Sequence, residues 1–148
     1  MENEPLHNLL ADDDENDRLI FKEAFAELKI KTVVGTVNDG IQLMERLHDS
    51  TIPLPDLLFL DLNMPRKNGL ECLKEIRGNE KLKEISIAIY STSDNKKDLE
   101  ETFLNGANIY VIKPNSFNRL KMALEKALMT TYHYQDKEMN RENFLLLV

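Results

Sequence analysis

Five short apolar runs, each followed by a longer segment of helical period, constrain this chain more than any other feature. The runs cover residues 8–11, 32–37, 57–60, 85–90 and 109–112, and their alternation with helical segments is the pattern of βα units around a parallel sheet. The third run, Leu57-Leu58-Phe59-Leu60, suits a strand buried on both faces; it delivers Asp61 before Pro65 forbids any further ladder. Apolar residues at helical spacing follow each run: Ile20, Ala24, Phe25 and Leu28; Leu43, Met44 and Leu47; Leu70, Leu73 and Ile76; Leu99 and Phe103; Leu120, Leu124, Ala127 and Leu128. Asp14 and Ser116 stand where helix caps belong, Asp17 suits the positive end of the first helix, and Gly78-Asn79 closes the third. The fourth helix has the thinnest apolar stripe and is expected to be the freest to move.

With 148 residues, 42% of them hydrophobic and 30% charged, the chain has material for one core. The reading is a single domain over residues 1–131 with a tail over 132–148. A net charge of -7 with scattered lysines disfavours nucleic acid and anionic lipid as partners, and no apolar run is long enough to span a membrane. The lone Cys72 permits no internal disulfide, and residues 1–5 lack the basic and apolar regions of a signal peptide; a reducing cytoplasm is the expected location.

In a parallel sheet the C-terminal ends of all strands share one edge, so whatever follows each run converges there. Asp12, Asp13 and Asp14 follow the first run, Asp61 the third, Ser91 and Thr92 the fourth, and Lys113 the fifth. Carboxylates gathered so closely repel one another, and a divalent cation relieves that repulsion at neutral pH. All-oxygen ligands without clustered His or Cys point to magnesium, with manganese as the other choice. Open positions on such an ion would accept a phosphate whose remaining oxygens meet Lys113 and the Ser91 hydroxyl, with Asp61 as phosphoryl acceptor. Each group taken alone has an ordinary explanation: the Asp triplet as a cap, Ser91-Thr92-Ser93 as a helix start, Lys113-Pro114 as a loop. Their joint occurrence at four strand ends favours a shared site. Cys72 reads as a small core residue, and His7, His48 and His133 lack metal-ligand spacing.

These residues resemble the response-regulator receiver domain over nearly all of residues 6–128. The family's acidic pair corresponds to Asp12 and Asp13, its phosphorylated aspartate to Asp61, its backbone metal ligand to Asn63, and its loop Pro and Gly to Pro65 and Gly69. Its switch hydroxyl falls at Ser91, its lysine at Lys113 and its switch aromatic at Tyr110. Thr92 stands where the family has a small residue, which narrows access to the phosphoryl group. The resemblance implies a flavodoxin-like (βα)5 doubly wound α/β sheet of strand order 2-1-3-4-5, and a cis bond between Lys113 and Pro114. The stretch 77–84 and the run Ser91-Thr92-Ser93-Asp94-Asn95 are similar to the stand-alone receivers associated with bacterial phytochromes.

The resemblance also implies a direction of transfer, from a phosphohistidine of a sensor kinase or histidine phosphotransfer protein onto Asp61. The expected ion is held by Asp13, Asp61 and the Asn63 carbonyl, with Asp12 acting through water. Ser91 closing on the phosphate should vacate space for Tyr110 and so alter the face around the fourth helix and fifth strand. The resemblance implies a phosphoacceptor signalling protein that assists its own phosphorylation and dephosphorylation, rather than an enzyme. No output domain is expected after the fifth helix, so output is expected through another protein, and the apolar tail end Phe144 to Val148 is expected to contact a second copy. Two rivals remain: a haloacid-dehalogenase type phosphatase, which normally has a second acid where Asn63 stands, and a pseudo-receiver docking module, whose usual sign is loss of the acceptor or the lysine.

Overall fold

The computed structural model describes residues 5–134 and 145–147. In chain order the elements are β1 (Leu6–Ala11), α1 (Glu15–Ala26), β2 (Thr32–Val37), α2 (Gly40–His48), β3 (Leu57–Leu60) and α3 (Gly69–Arg77). There follow β4 (Ser86–Ser91), α4 (Lys96–Leu104), β5 (Ile109–Ile112), α5 (Phe117–Tyr134) and β6 (Leu145–Leu147). All paired strands run parallel in the order β2-β1-β3-β4-β5-β6. The expected flavodoxin-like order 2-1-3-4-5 is present. The sixth strand was not foreseen: part of the apolar tail extends the sheet by pairing Ile109 with Leu145 and Tyr110 with Leu146.

The strand period of two divides the core into two layers. Leu9, Ala11, Leu58, Leu60, Ile87, Ile89 and Tyr110 face the side covered by α2 and α3, where they meet Leu43, Leu47, Cys72, Leu73 and Ile76. Leu10, Leu57, Phe59, Ala88, Tyr90, Ile109 and Val111 face the side covered by α1 and α5. Because β3 is covered on both faces, all four of its residues are buried, and each such side chain stabilises the fold by roughly 1.5–3 kcal/mol. Phe21 anchors the α1 side, with ring centroids 5.0 Å from Phe59 and 5.6 Å from Tyr90. Here the first helix differs from expectation: Ile20 is exposed, and the buried stripe runs through Phe21, Ala24 and Phe25, a stricter helical spacing.

The helix starts are set by short polar side chains. Asp14, Asp39, Asn68 and Asn95 accept from backbone N–H groups three residues on, and Asn68 with Glu71 completes a capping box. Of α4 only Thr102 is fully buried, in keeping with its thin apolar stripe. Gly69 has a role at the end of β3: a Cβ there would collide with the carbonyl oxygen of Asp61, and its N–H donates to Leu62 O at 3.0 Å. The loop after Asp61 therefore folds back against the strand end and carries Asn63 beside it.

Candidate functional site

The C-terminal strand edge gathers the polar groups named above: Asp12 directly follows β1, Asp61 follows β3, Ser91 is the last residue of β4, and Lys113 follows β5. Asp12, Asp61 and Ser91 are buried, and Asp13 is exposed. Asp12, Asp13 and Asp61 each present a carboxylate oxygen within 4.8 Å of the others. The Lys113 ammonium lies 2.9 Å from Asp12 Oδ2, 2.9 Å from Asp17 Oδ2 and 3.6 Å from Asp61 Oδ2. It also stands 5.0 Å from the centroid of the Tyr90 ring.

Local structure fixes each of these groups. Asp12 Oδ1 accepts from the Asp14 N–H at 2.9 Å, and the Arg18 guanidinium donates to Asp12 O at 2.8 Å, which ties the end of β1 to the first turns of α1. Asp61 N donates to Ala11 O across the sheet, and Asp61 Oδ1 accepts from Asn63 N at 3.3 Å. Lys113 N donates to Ser91 O at 2.8 Å, so backbone pairing makes these two residues neighbours at the sheet edge.

The electrostatics are those of a site short of positive charge. Burial pushes the Asp61 carboxyl up to about 6; the Lys113 ammonium opposes that rise, and the charges of Asp12 and Asp13 reinforce it. Burial acts to lower the Lys113 value, but hydrogen bonds to Asp12 and Asp17 and the charge of Asp61 outweigh it and hold the ammonium above its ordinary value. One cation among this many carboxylates leaves the edge suited to a second. The three clustered acids offer oxygen donors alone, the chemistry that a hard divalent metal ion requires.

One expectation is corrected here. The Lys113–Pro114 bond is trans, as are all peptide bonds described, which is the isomer an X–Pro bond prefers when nothing around it demands the other. The Tyr110 ring is buried, and its hydroxyl donates to Ser93 O at 2.9 Å. Ser91 Oγ accepts from Ser93 N at 3.1 Å, and Thr92 is exposed. Sequence reasoning assigned Asp17 to the helix dipole alone and missed its contact with Lys113. The available signal was its place on the first turn of the helix that leaves β1, beside the acidic edge.

Comparison with known proteins decides the family. Residues 9–125 match the family described as the response regulator receiver domain. The chain belongs to that family. It is 32% identical over 126 residues to a probable methanogenesis regulatory protein, FilR2, of Methanothrix harundinacea, covering 83% of this chain and 81% of that protein. It is 31% identical over 122 residues to the response regulator Rcp1 of Synechocystis, covering 80% of this chain and 83% of Rcp1. The phosphorylated cyanobacterial phytochrome response regulator RcpA superposes with a TM-score of 0.80 at 29% identity over 87% of this chain and 95% of RcpA. A solved form of Rcp1 is bound to Mn(2+), and it matches with a TM-score of 0.75 over 82% of this chain and 91% of Rcp1. The resemblance to phytochrome-associated response regulators thus holds in sequence and in fold, and the chain has the phosphoacceptor signalling role of a receiver. Among the described residues, no helix is long and apolar enough to cross a membrane.

Proposed function

We propose that Asp61 is the phosphoacceptor and that it takes its phosphoryl group from a phosphohistidine of a sensor kinase or histidine phosphotransfer protein. The observation that carries this reading is the grouping of Asp61 with Asp12, Asp13 and the Lys113 ammonium at one sheet edge. An Asp61 oxygen forms the new bond to phosphorus as the phosphorus–nitrogen bond of the donor breaks, and the imidazole leaves with its electron pair and takes up a proton. Lys113 and the Ser91 hydroxyl bind the transferred oxygens, and the exposed Thr92 limits access to them. The same groups assist water in the reverse loss of phosphate.

Asp13, Asp61 and the Asn63 carbonyl would hold a divalent ion, with Asp12 acting through water. The all-oxygen donor set favours magnesium, and the manganese in Rcp1 makes that ion the alternative. Bound there, the ion would offset the charge of the acidic edge and of the phosphoryl oxygens. With magnesium and a small phosphodonor such as acetyl phosphate, the intact protein should gain one phosphoryl mass. Turnover of an external phosphate ester, with no labelled protein, would instead favour the haloacid-dehalogenase reading. That reading lacks its usual second acid, because Asn63 stands there. The pseudo-receiver reading is disfavoured by the presence of both Asp61 and Lys113.

Output passes through protein contacts, by way of Ser91, Ser93 and the buried Tyr110 to the face formed by α4, β5 and α5. The setting is the reducing cytoplasm. A contact between tails of two copies competes with the pairing of β6 on β5 within the chain. Phe144 and Val148, the ends of the apolar tail, lie outside the described residues. Truncation after Thr131 should lower the assembly mass by more than the residues removed if the tail joins two copies.

A further inference from the structure

Lys113 has three N–H donors, and two of them are committed at 2.9 Å, one to Asp12 and one to Asp17. These two contacts set where the ammonium stands, which is 3.6 Å from the nearer Asp61 oxygen, beyond a hydrogen bond. Asp12 belongs to the cluster of three carboxylates that could hold a cation; Asp17 does not. A metal ion held by Asp13, Asp61 and the Asn63 carbonyl, with Asp12 acting through water, would therefore leave Asp17 free to keep its hold on the lysine. The placement of Asp17 is well determined. Its N–H donates to the N-cap Asp14 at 3.0 Å, and the next residue, Arg18, anchors α1 to the carbonyl of Asp12. The Asp17 side chain is 36% exposed and that of Lys113 11%, so water can solvate the carboxylate once the lysine leaves it.

We infer that Asp17 is a positioning residue that competes with the phosphoryl group for Lys113 and so weakens the phosphorylated state. The inference rests on Asp61 being the acceptor. In the resting protein Asp17 holds the ammonium toward α1. After transfer, a phosphoryl oxygen on Asp61 must draw the ammonium from that partner, and the lost ion pair reduces the net gain. The same contact links the phosphorylation state to α1, because an Asp17 released from Lys113 changes the charge on that helix's exposed face.

The test titrates the intact protein with beryllofluoride, a phosphoryl mimic, in the presence of magnesium, and measures affinity by calorimetry. Asp17→Asn keeps the size and the backbone N–H and should bind the mimic about tenfold more tightly, the factor expected for one competing charge-assisted bond. Glu15→Gln removes one charge from the same helix turn and should change affinity less than twofold. Asp17→Glu restores a carboxylate and should move affinity back toward wild type. Equal or weaker binding by Asp17→Asn, or an equal gain from Glu15→Gln, would overturn the inference while leaving Asp61 as acceptor. Failure of the wild-type protein to bind beryllofluoride would overturn both.

Discussion

Two half-buried or buried cations sit at opposite edges of the same sheet, and they are partnered in opposite ways. Arg77, at the end of α3, donates to Gly106 O at 2.9 Å, Lys83 O at 2.8 Å, Ile85 O at 2.7 Å and Asn108 Oδ1 at 3.0 Å. Its partners are neutral, and Asn108 Oδ1 also accepts from Ile87 N at 2.8 Å, so the guanidinium stitches α3, β4 and the α4–β5 turn together. Lys113 instead faces three carboxylates at the other edge. The arginine has neutral partners, three backbone carbonyls and one side-chain amide oxygen. The lysine has charged partners that an incoming anion can replace, and this separates a structural joint from a working site.

The largest expected effect comes from removing the lysine. Lys113→Met should cost about 4 kcal/mol at pH 7 without metal, because it strands buried carboxylates. That loss should shrink as the pH is lowered toward 5 and Asp61 takes up a proton. Arg77→Met should cost about 3 kcal/mol by loss of charge-assisted hydrogen bonds, and this cost should stay flat over the same pH range. Urea denaturation at several pH values measures both; parallel pH profiles for the two variants would break the distinction.

Next in size is the pH dependence of the unsubstituted protein. The folded value of Asp61, about 6, lies above its ordinary 3.8, so the native state binds the extra proton. Its stabilising contribution is complete below about pH 4 and is lost as the pH rises through 6, by up to about 3 kcal/mol. Asp61→Asn should therefore stabilise the metal-free protein at pH 7, and millimolar magnesium should raise the melting temperature of wild type more than that of the variant. The smallest effect is expected at Tyr110. Tyr110→Phe removes the hydroxyl that donates to Ser93 O and should cost about 1 kcal/mol in the same denaturation assay, with labelling at Asp61 unchanged.

The contrast between the two cations also marks what the sequence made legible. Periodicity placed β2, β3 and β5 to the residue, because their runs are β-branched or apolar and bounded by turn residues, and the parallel topology then put Asp12, Asp13, Asp61, Ser91 and Lys113 on one edge. Three things escaped it, each a matter of three-dimensional detail. The buried face of α1 turned on one residue of phase, Phe21 against Ile20. The pairing of β6 on β5 joins segments far apart in sequence, and no local pattern specifies which edge a short apolar run will choose. The Arg77 and Asp17 contacts depend on side-chain reach, with Arg77 bonding to residues up to 31 positions away and Asp17 to one 96 positions away.

The most direct measurement is to locate the phosphoryl group. After incubation with magnesium and acetyl phosphate, borohydride reduction converts an aspartyl phosphate to homoserine, which peptide mass spectrometry places in the chain. The account predicts homoserine at position 61 and none in the Asp61→Asn protein. Homoserine at Asp12 or Asp13, or label that persists in Asp61→Asn, would contradict it.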